Sequence, residues 1–222
     1  MKLETQYPDL APIVKGASFN QLFQLFWMLA QVRYATRGQL NAVNSKLGTA
    51  KKLHHLFTTG YLSVKNGVHS ITRKTLQILH DQNYVTAHIQ QKLQGGGAHE
   101  LSVTDAVISE KPDFVLFPSF KRPPDYFDDF LIPDACLIHK FENGYQIQFL
   151  EVENPKGHWE DYLSSKKVKY EVIANDYNLY DKWWRLHSER LGLQFPEVDQ
   201  FKFTVLCYSK LKFDWPGWSF NG

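Results

Sequence analysis

Three carboxylates in the second half of the chain have the spacing that metal chemistry needs. Glu151-Val152-Glu153 ends a strand-like run that begins at Tyr145. Residues two apart in a strand project from the same face, so Glu151 and Glu153 point together. Upstream, Pro133-Asp134 opens the apolar run Ala135 to Ile138, and Asn143-Gly144 separates the two runs. An Asn-Gly pair is a strong hairpin signal because both residues accept positive φ. A hairpin turning there sets the start of its first strand beside the end of its second, so Asp134 is expected to approach Glu151 and Glu153. Converging carboxylates repel one another unless a cation sits among them, and an all-oxygen set suits Mg²⁺ or Mn²⁺ rather than Zn²⁺. Taken singly, Asp134 reads as a loop cap and Glu-x-Glu as a solvated strand edge. The joint reading is favoured because sheet interiors seldom keep carboxylates without a partner.

The elements around these residues follow from periodicity. Ala98 to Ile108 reads as a helix bearing His99 and Glu100, and Asp113 to Phe117 as a short strand. The loop after it carries Asp125, Asp128 and Asp129, which match no calcium-loop spacing and read as solvated. Pro155 and Gly157 stop the strand that ends in Glu153, and a helix from about Trp159 to Ala174 carries Lys166, Lys167, Lys169 and Tyr170. A last strand runs from Phe201 to Tyr208. The aromatic residues Trp183, Trp184, Phe213, Trp215, Trp218 and Phe220 are expected to pack over the core, the last of them alternatively forming an exposed partner patch.

The first half reads as three helices and a hairpin. Phe19 to Tyr34 places Phe19, Leu22, Phe23, Phe26 and Ala30 on one helical face. Thr36 caps a second helix with Leu40 and Val43 inward, and Thr49 caps a third with a core stripe of Leu53, Leu56 and Phe57. Gly60 ends it. Tyr61 to Val64, the turn Lys65-Asn66-Gly67, and Val68 to Ile71 form a hairpin, followed by a helix from Thr72 to Asp81. That order is a winged helix-turn-helix. Its third helix is expected in the major groove of double-stranded DNA, with Lys46, Thr49, Lys51 and Lys52 near phosphates or base edges. Lys65 on the wing, with Arg73 and Lys74, is expected on the DNA backbone. His54 and His55 are neighbours on a helix, so they point apart and read as surface and packing.

Charge supports this division. The net formal charge of the 222 residues is +2, but residues 1–96 hold eleven Lys/Arg against three Asp/Glu, and the remainder fourteen against twenty. A basic part thus precedes an acidic one. The glycine run Gly95-Gly96-Gly97 is the expected hinge between residues 1–94 and 95–222. Hydrophobic residues at 43% and charged residues at 22% exclude disorder and fibrous repeats. No apolar stretch is long enough to span a bilayer, and the first residues lack a secretory signature. Cys136 and Cys207 sit in apolar runs and read as reduced core residues of a cytoplasmic protein. GxxxxGK[ST], GxGxxG, HExxH and GxSxG are absent, so a nucleotide cofactor, zincin and serine-hydrolase chemistry lack support.

Helix, three strands, helix and strand, with Pro133-Asp134 and Glu151-Val152-Glu153 on strand ends, resembles the PD-(D/E)XK nuclease fold. With the winged helix before it and a helical Lys166 and Tyr170 after it, the chain from about residue 19 to 208 resembles the replication-relaxation family of mobile elements. The resemblance implies a mixed α+β chain that binds DNA and hydrolyses phosphodiesters with Mg²⁺ or Mn²⁺. It implies Asp134 and Glu151 as metal ligands, joined by Glu100 from the preceding helix. Glu153 stands where that fold usually has Lys, and Lys166 would be the lysine moved onto the helix, with Lys169 as its nearest competitor. Lys166, or Glu153 as a base, would orient or deprotonate the attacking water. One site nicks, so a double-strand cut implies a homodimer. A non-catalytic DNA-binding regulator or replication accessory protein, and more remotely a protein-interaction adaptor, are the other readings.

Overall fold

Hydroxyl side chains three residues ahead of glutamines start two helices. Ser18 Oγ accepts from the Gln21 amide at 3.2 Å while Gln21 Oε1 accepts from the Ser18 amide at 3.0 Å. Thr36 and Gln39 repeat the arrangement at 3.3 and 2.8 Å. Such reciprocal caps each stabilise a helix by about 1 kcal/mol. The computed structural model describes residues 3–86, 89, 97–118, 120–121, 129–142, 144–152, 159–193 and 203–221. The chain divides into two units, Met1–Ser109 and Glu110–Gly222.

The first unit runs α1 (Leu3–Gln6), α2 (Phe19–Val32), β1 (Ala35–Thr36), α3 (Arg37–Val43), α4 (Ala50–Thr58), β2 (Leu62–Lys65), β3 (Val68–Ile71), α5 (Arg73–Asp81) and α6 (Ala98–Glu110), which reaches the unit boundary. α2 buries Phe19, Leu22, Phe23, Phe26 and Ala30, the expected stripe, together with Leu29. Between α3 and α4 the side chain of Asn44 accepts from the amides of Lys46 and Leu47, both at 3.1 Å. Thr49 sits at the N-cap position of α4, but its side chain makes no capping bond. Leu53 and Leu56 are buried, whereas Phe57 is 47% and Val43 37% exposed, so two residues expected in the core lie outside it. Leu40 and Leu47 close that part of the core instead.

The β2–β3 hairpin forms as the Asn-Gly pair predicts. Asn66 (φ 53°) and Gly67 (φ 77°) both take the left-handed conformation that a primed turn requires. β1 adds antiparallel to β3, with Ala35 opposite His69, giving a three-stranded antiparallel sheet ordered β1-β3-β2. α6 follows the glycine run but is held within the first unit. Gln39 Nε2 donates to Leu101 O and to Asp105 Oδ1, both at 2.8 Å, and Thr104 Oγ1 donates to Tyr34 O at 2.8 Å.

The second unit runs β4 (Phe114–Leu116), β5 (Phe120–Lys121), β6 (Asp129–Leu131), β7 (Ala135–Phe141), β8 (Gly144–Val152), α7 (Trp159–Asn175), α8 (Tyr177–Leu191), β9 (Phe203–Tyr208) and β10 (Trp218–Asn221). Its described strands form a five-stranded mixed sheet, β10-β9-β8-β7-β4, and a β5–β6 pair. β4, β7 and β8 are antiparallel neighbours, and β9 and β10 are added in parallel. The β7–β8 register pairs Phe141 with Gly144 at the turn and Ala135 with Leu150 at the far end. Phe149, on the face toward α7 and α8, meets the rings of Tyr170 and Trp183 at 5.6 Å and of Phe203 at 5.0 Å. The residue pattern did not reveal α8 or β10. The loop acids Asp125 and Asp128 lie outside the described residues. No helix among the described residues is long and apolar enough to cross a membrane.

A Cβ added at Gly48 would lie 2.4 Å from Asn41 Cα and 2.5 Å from Asn41 N, both backbone atoms of α3. Backbone cannot swing aside as a side chain can. Gly48→Ala is therefore expected to destabilise the chain by about 1–3 kcal/mol, read as a lowered denaturation midpoint with an unchanged slope.

Candidate functional site

The β7–β8 hairpin sets two carboxylates side by side. One step beyond Ala135–Leu150, the register puts Asp134 opposite Glu151. Asp134 N donates to Leu150 O at 3.0 Å, and Asp134 Oδ2 accepts from Val152 N at 2.7 Å. Directly opposed residues of an antiparallel pair share a face. Here it is the face that also carries Cys136 and Phe149, beneath α7. Glu151 is 1% exposed, whereas Asp134 is half-buried.

α7 supplies the partners. Lys166 and Tyr170 are four residues apart, so both point from one face of the helix. Tyr170 OH donates to Glu151 Oε1 at 2.7 Å. Lys166 Nζ donates to Glu151 Oε2 in a short ion pair, and to Ile132 O at 3.2 Å. Lys166 is itself 6% exposed. Of the lysines on this helix, Lys166 turns into the site. Lys167 pairs with Glu171 one turn on, and Lys169 lies 5.9 Å from the Phe130 ring.

Burial is the largest influence on Glu151. It pushes the carboxyl up to about 7 while Lys166 pulls it down, the charge of Asp134 adds to the rise, and Tyr170 pulls it down. Burial works against the Lys166 ammonium as well, but Glu151 and Asp134 outweigh it and hold the lysine above its ordinary value. Tyr170 is held well above the usual phenol range by burial and by Glu151, so its hydroxyl remains a neutral donor.

Around this dry floor lies an exposed rim that sequence reasoning did not single out. Tyr162, one turn before Lys166 on α7, is 47% exposed, and Ile132 is 52% exposed. The Lys166 ammonium lies 4.9 Å from the Tyr162 ring centre. The 162, 166, 170 spacing is itself a helical stripe and was the available signal.

Glu153 lies outside the described residues. Glu100 is exposed on α6 in the first unit. Among the described residues, no group of three or more His, Cys, Asp or Glu side chains gathers where it could hold a metal ion. Asp134 and Glu151 remain as an all-oxygen pair. Mg²⁺ commonly takes one or two carboxylates, with water and substrate phosphate completing its shell, so the donor set fits such an ion. Each Glu151 oxygen already accepts one hydrogen bond and keeps a second lone pair.

In the first unit, Lys46, Thr49, Lys51, Lys65 and Arg73 are exposed. Lys52 and Lys74 are tied to the fold. Lys52 Nζ donates to Lys15 O at 2.9 Å. Lys74 Nζ donates to Asp9 Oδ2 and Thr59 O, both at 3.0 Å, and lies 3.8 Å from the Tyr61 ring centre. Tyr61 OH also donates to Asp9 at 2.8 Å, and His55 Nε2 lies 2.8 Å from Asp9 O, a packing role for that histidine. Comparisons with protein-family models, with curated proteins and with solved structures find no match for this chain.

A carboxyl whose pKa is raised on folding contributes stability below its unfolded pKa, and that contribution is lost as pH rises through the folded value. For Glu151 the window runs from the ordinary 4.5 to about 7. Denaturant titrations across this range are expected to show a fall on the order of 3 kcal/mol from this group. Glu151→Gln is expected to remove that slope, and Lys166→Met to extend it to higher pH. An unchanged pH profile in Glu151→Gln would contradict the burial argument.

Proposed function

We propose that the chain is a DNA-binding, divalent-metal-dependent endonuclease, with a winged-helix first unit and a PD-(D/E)XK-like second unit. The observation that carries this reading is the meeting of Asp134, Glu151 and Lys166 at one end of the sheet, with Tyr170 behind them. The order of β4, β7, β8, α7 and β9, with β9 parallel to β8, supports the nuclease-like fold. The exposed Lys46, Thr49 and Lys51 about the start of α4, and Lys65 on the hairpin, support DNA contact. The same order supports a kinship with replication-relaxation proteins and hence service to a mobile element, phage or plasmid.

In this reading Asp134 and Glu151 hold the ion. When bound, Mg²⁺ or Mn²⁺ polarises the scissile phosphate and lowers the pKa of a coordinated water. The chain's own groups do the rest. Tyr170 fixes one oxygen of Glu151, which sets the direction of the carboxylate. Lys166, kept charged by two carboxylates, is a poor general base. Its ammonium instead offsets the negative charge that grows on the pentavalent phosphorus.

A non-catalytic DNA-binding accessory protein is the second reading. It is favoured by the full engagement of Glu151 with the chain's own Lys166 and Tyr170.

Plasmid cleavage in Mg²⁺ or Mn²⁺ separates the two. Nicking by the wild type is expected to fall about 100-fold or more in Asp134→Ala, Glu151→Gln and Lys166→Met, with DNA binding retained. Tight, salt-sensitive binding without cleavage in any divalent ion leaves the accessory protein.

The basic surface has its own test. When Lys46 and Lys51 are changed to Ala, the slope of log affinity against log salt is expected to shrink by about 0.9 for each phosphate they neutralise. Lys74→Ala, which removes an exposed ammonium already paired with Asp9 and the Thr59 carbonyl, is expected to lower stability and change that slope little.

A further inference from the structure

β10, the edge strand of the sheet, and the turn before it carry four half-exposed rings, Phe213, Trp215, Trp218 and Phe220. Trp183 and Trp184, which seal the core, are by contrast 8% and 2% exposed. The four rings are ordered among themselves. Phe213 and Trp215 stack with centroids 4.3 Å apart and planes 9° from parallel. Trp215 meets Trp218 edge-on at 5.1 Å, and Trp218 meets Tyr170 edge-on at 5.5 Å. Tyr170 is the residue whose hydroxyl holds Glu151. A file of rings therefore leads from the surface to the candidate catalytic carboxylate.

Cations accompany the rings. The Lys167 ammonium lies 5.8 Å from the Trp215 ring centre while pairing with Glu171. Lys210 and Lys212 are exposed on the segment leading to Phe213, against one exposed acid there, Asp214.

We infer that this file of rings is a stacking platform for the bases of an unpaired DNA strand, which places the substrate at a junction where single strand leaves duplex. The inference rests on the nuclease reading and names its substrate class. Bases inside a duplex are already stacked and offer no face to a protein ring, whereas an unpaired strand offers one at every nucleotide. Ring faces with neighbouring lysines suit that strand, because its bases stack while its phosphates meet positive charge. Tyr170, 2% exposed, lies beneath Trp218 and offers no face of its own, so the platform is the four half-buried rings alone.

The test is anisotropy of the full chain, without divalent ions, on labelled oligothymidine and on a labelled duplex hairpin. Trp215→Ala is expected to weaken binding of a strand of about twelve nucleotides roughly tenfold. Duplex affinity is expected to stay within about a factor of two, since the basic helix carries it. Trp215→Phe is expected to keep most of the single-strand affinity, and wild-type tryptophan fluorescence to be quenched by the strand. Melting curves accompany each variant. Where Trp215→Ala fails to fold, the Lys210→Gln/Lys212→Gln pair, which leaves the rings in place, is expected to weaken single-strand binding selectively. Equal losses on both DNAs, or no loss on the single strand, overturn the platform while leaving the nuclease reading intact. Failure of the wild type to bind any DNA removes both. Concentration-dependent dimerisation abolished by Trp215→Ala, without single-strand binding, assigns the rings to a second copy of this chain and overturns the proposal.

Discussion

A carboxylate that is 1% exposed must be matched by a cation or give up its charge. Glu151 is matched by Lys166, and much of the second unit follows from that demand. The pair fixes which face of α7 turns toward the sheet. With Lys166 inward, Tyr170 falls one turn on, against both the second oxygen of Glu151 and the ring of Phe149. The aromatic core of Phe149, Tyr170, Trp183 and Phe203 thus adjoins the ion pair. Stability and site geometry share their residues, and a buried pair of this kind is kept more readily for positioning than for stability.

The first unit is built on a different economy of polar groups. Its connections are held by side chains that satisfy backbone amides and carbonyls: Asn44 between α3 and α4, Thr72 before α5, Gln39 of α3 on the Leu101 carbonyl, and Thr104 of α6 on the Tyr34 carbonyl. Two of its basic residues are drawn into the same work, Lys52 on a carbonyl and Lys74 on Asp9. Lys46, Lys51, Lys65 and Arg73 are exposed and show no such tie among the described residues, whereas Lys74, though exposed, already has its ammonium on Asp9. A count of lysines therefore overstates the surface available to an anionic partner.

The candidate site divides into a dry floor and a wet rim. Glu151, Lys166 and Tyr170 form a floor where interactions are strong because water is excluded. Asp134, Tyr162 and Ile132 form the part a substrate would meet. The charged state of Lys166 assigns it electrostatic work rather than proton abstraction, which narrows the roles open to it in the proposed chemistry.

Local chemistry in the sequence determined the β2–β3 hairpin, because Asn66-Gly67 accepts the positive φ a tight turn requires. The β7–β8 hairpin was legible as a hairpin, but its register was not: pairing of Phe141 with Gly144 sets Asp134 opposite Glu151, where a turn centred on Asn143-Gly144 would have set it opposite Glu153. The Thr36 cap and the α2 stripe were legible for the same reason: each depends on residues three or four apart. The resemblance named Lys166 with Lys169 as competitor, and the tertiary structure decided between them: Lys166, and not Lys167 or Lys169, faces Glu151. All three fit a helix equally well, and packing of α7 on the sheet selects one face. It also decided that Phe57 and Val43 stay exposed, that α6 stays in the first unit, and that Trp218 and Phe220 form a strand. Each of these depends on a partner distant in the chain. β10 pairs with β9, and α6 is held by Gln39 some sixty residues earlier. No local period encodes such a contact.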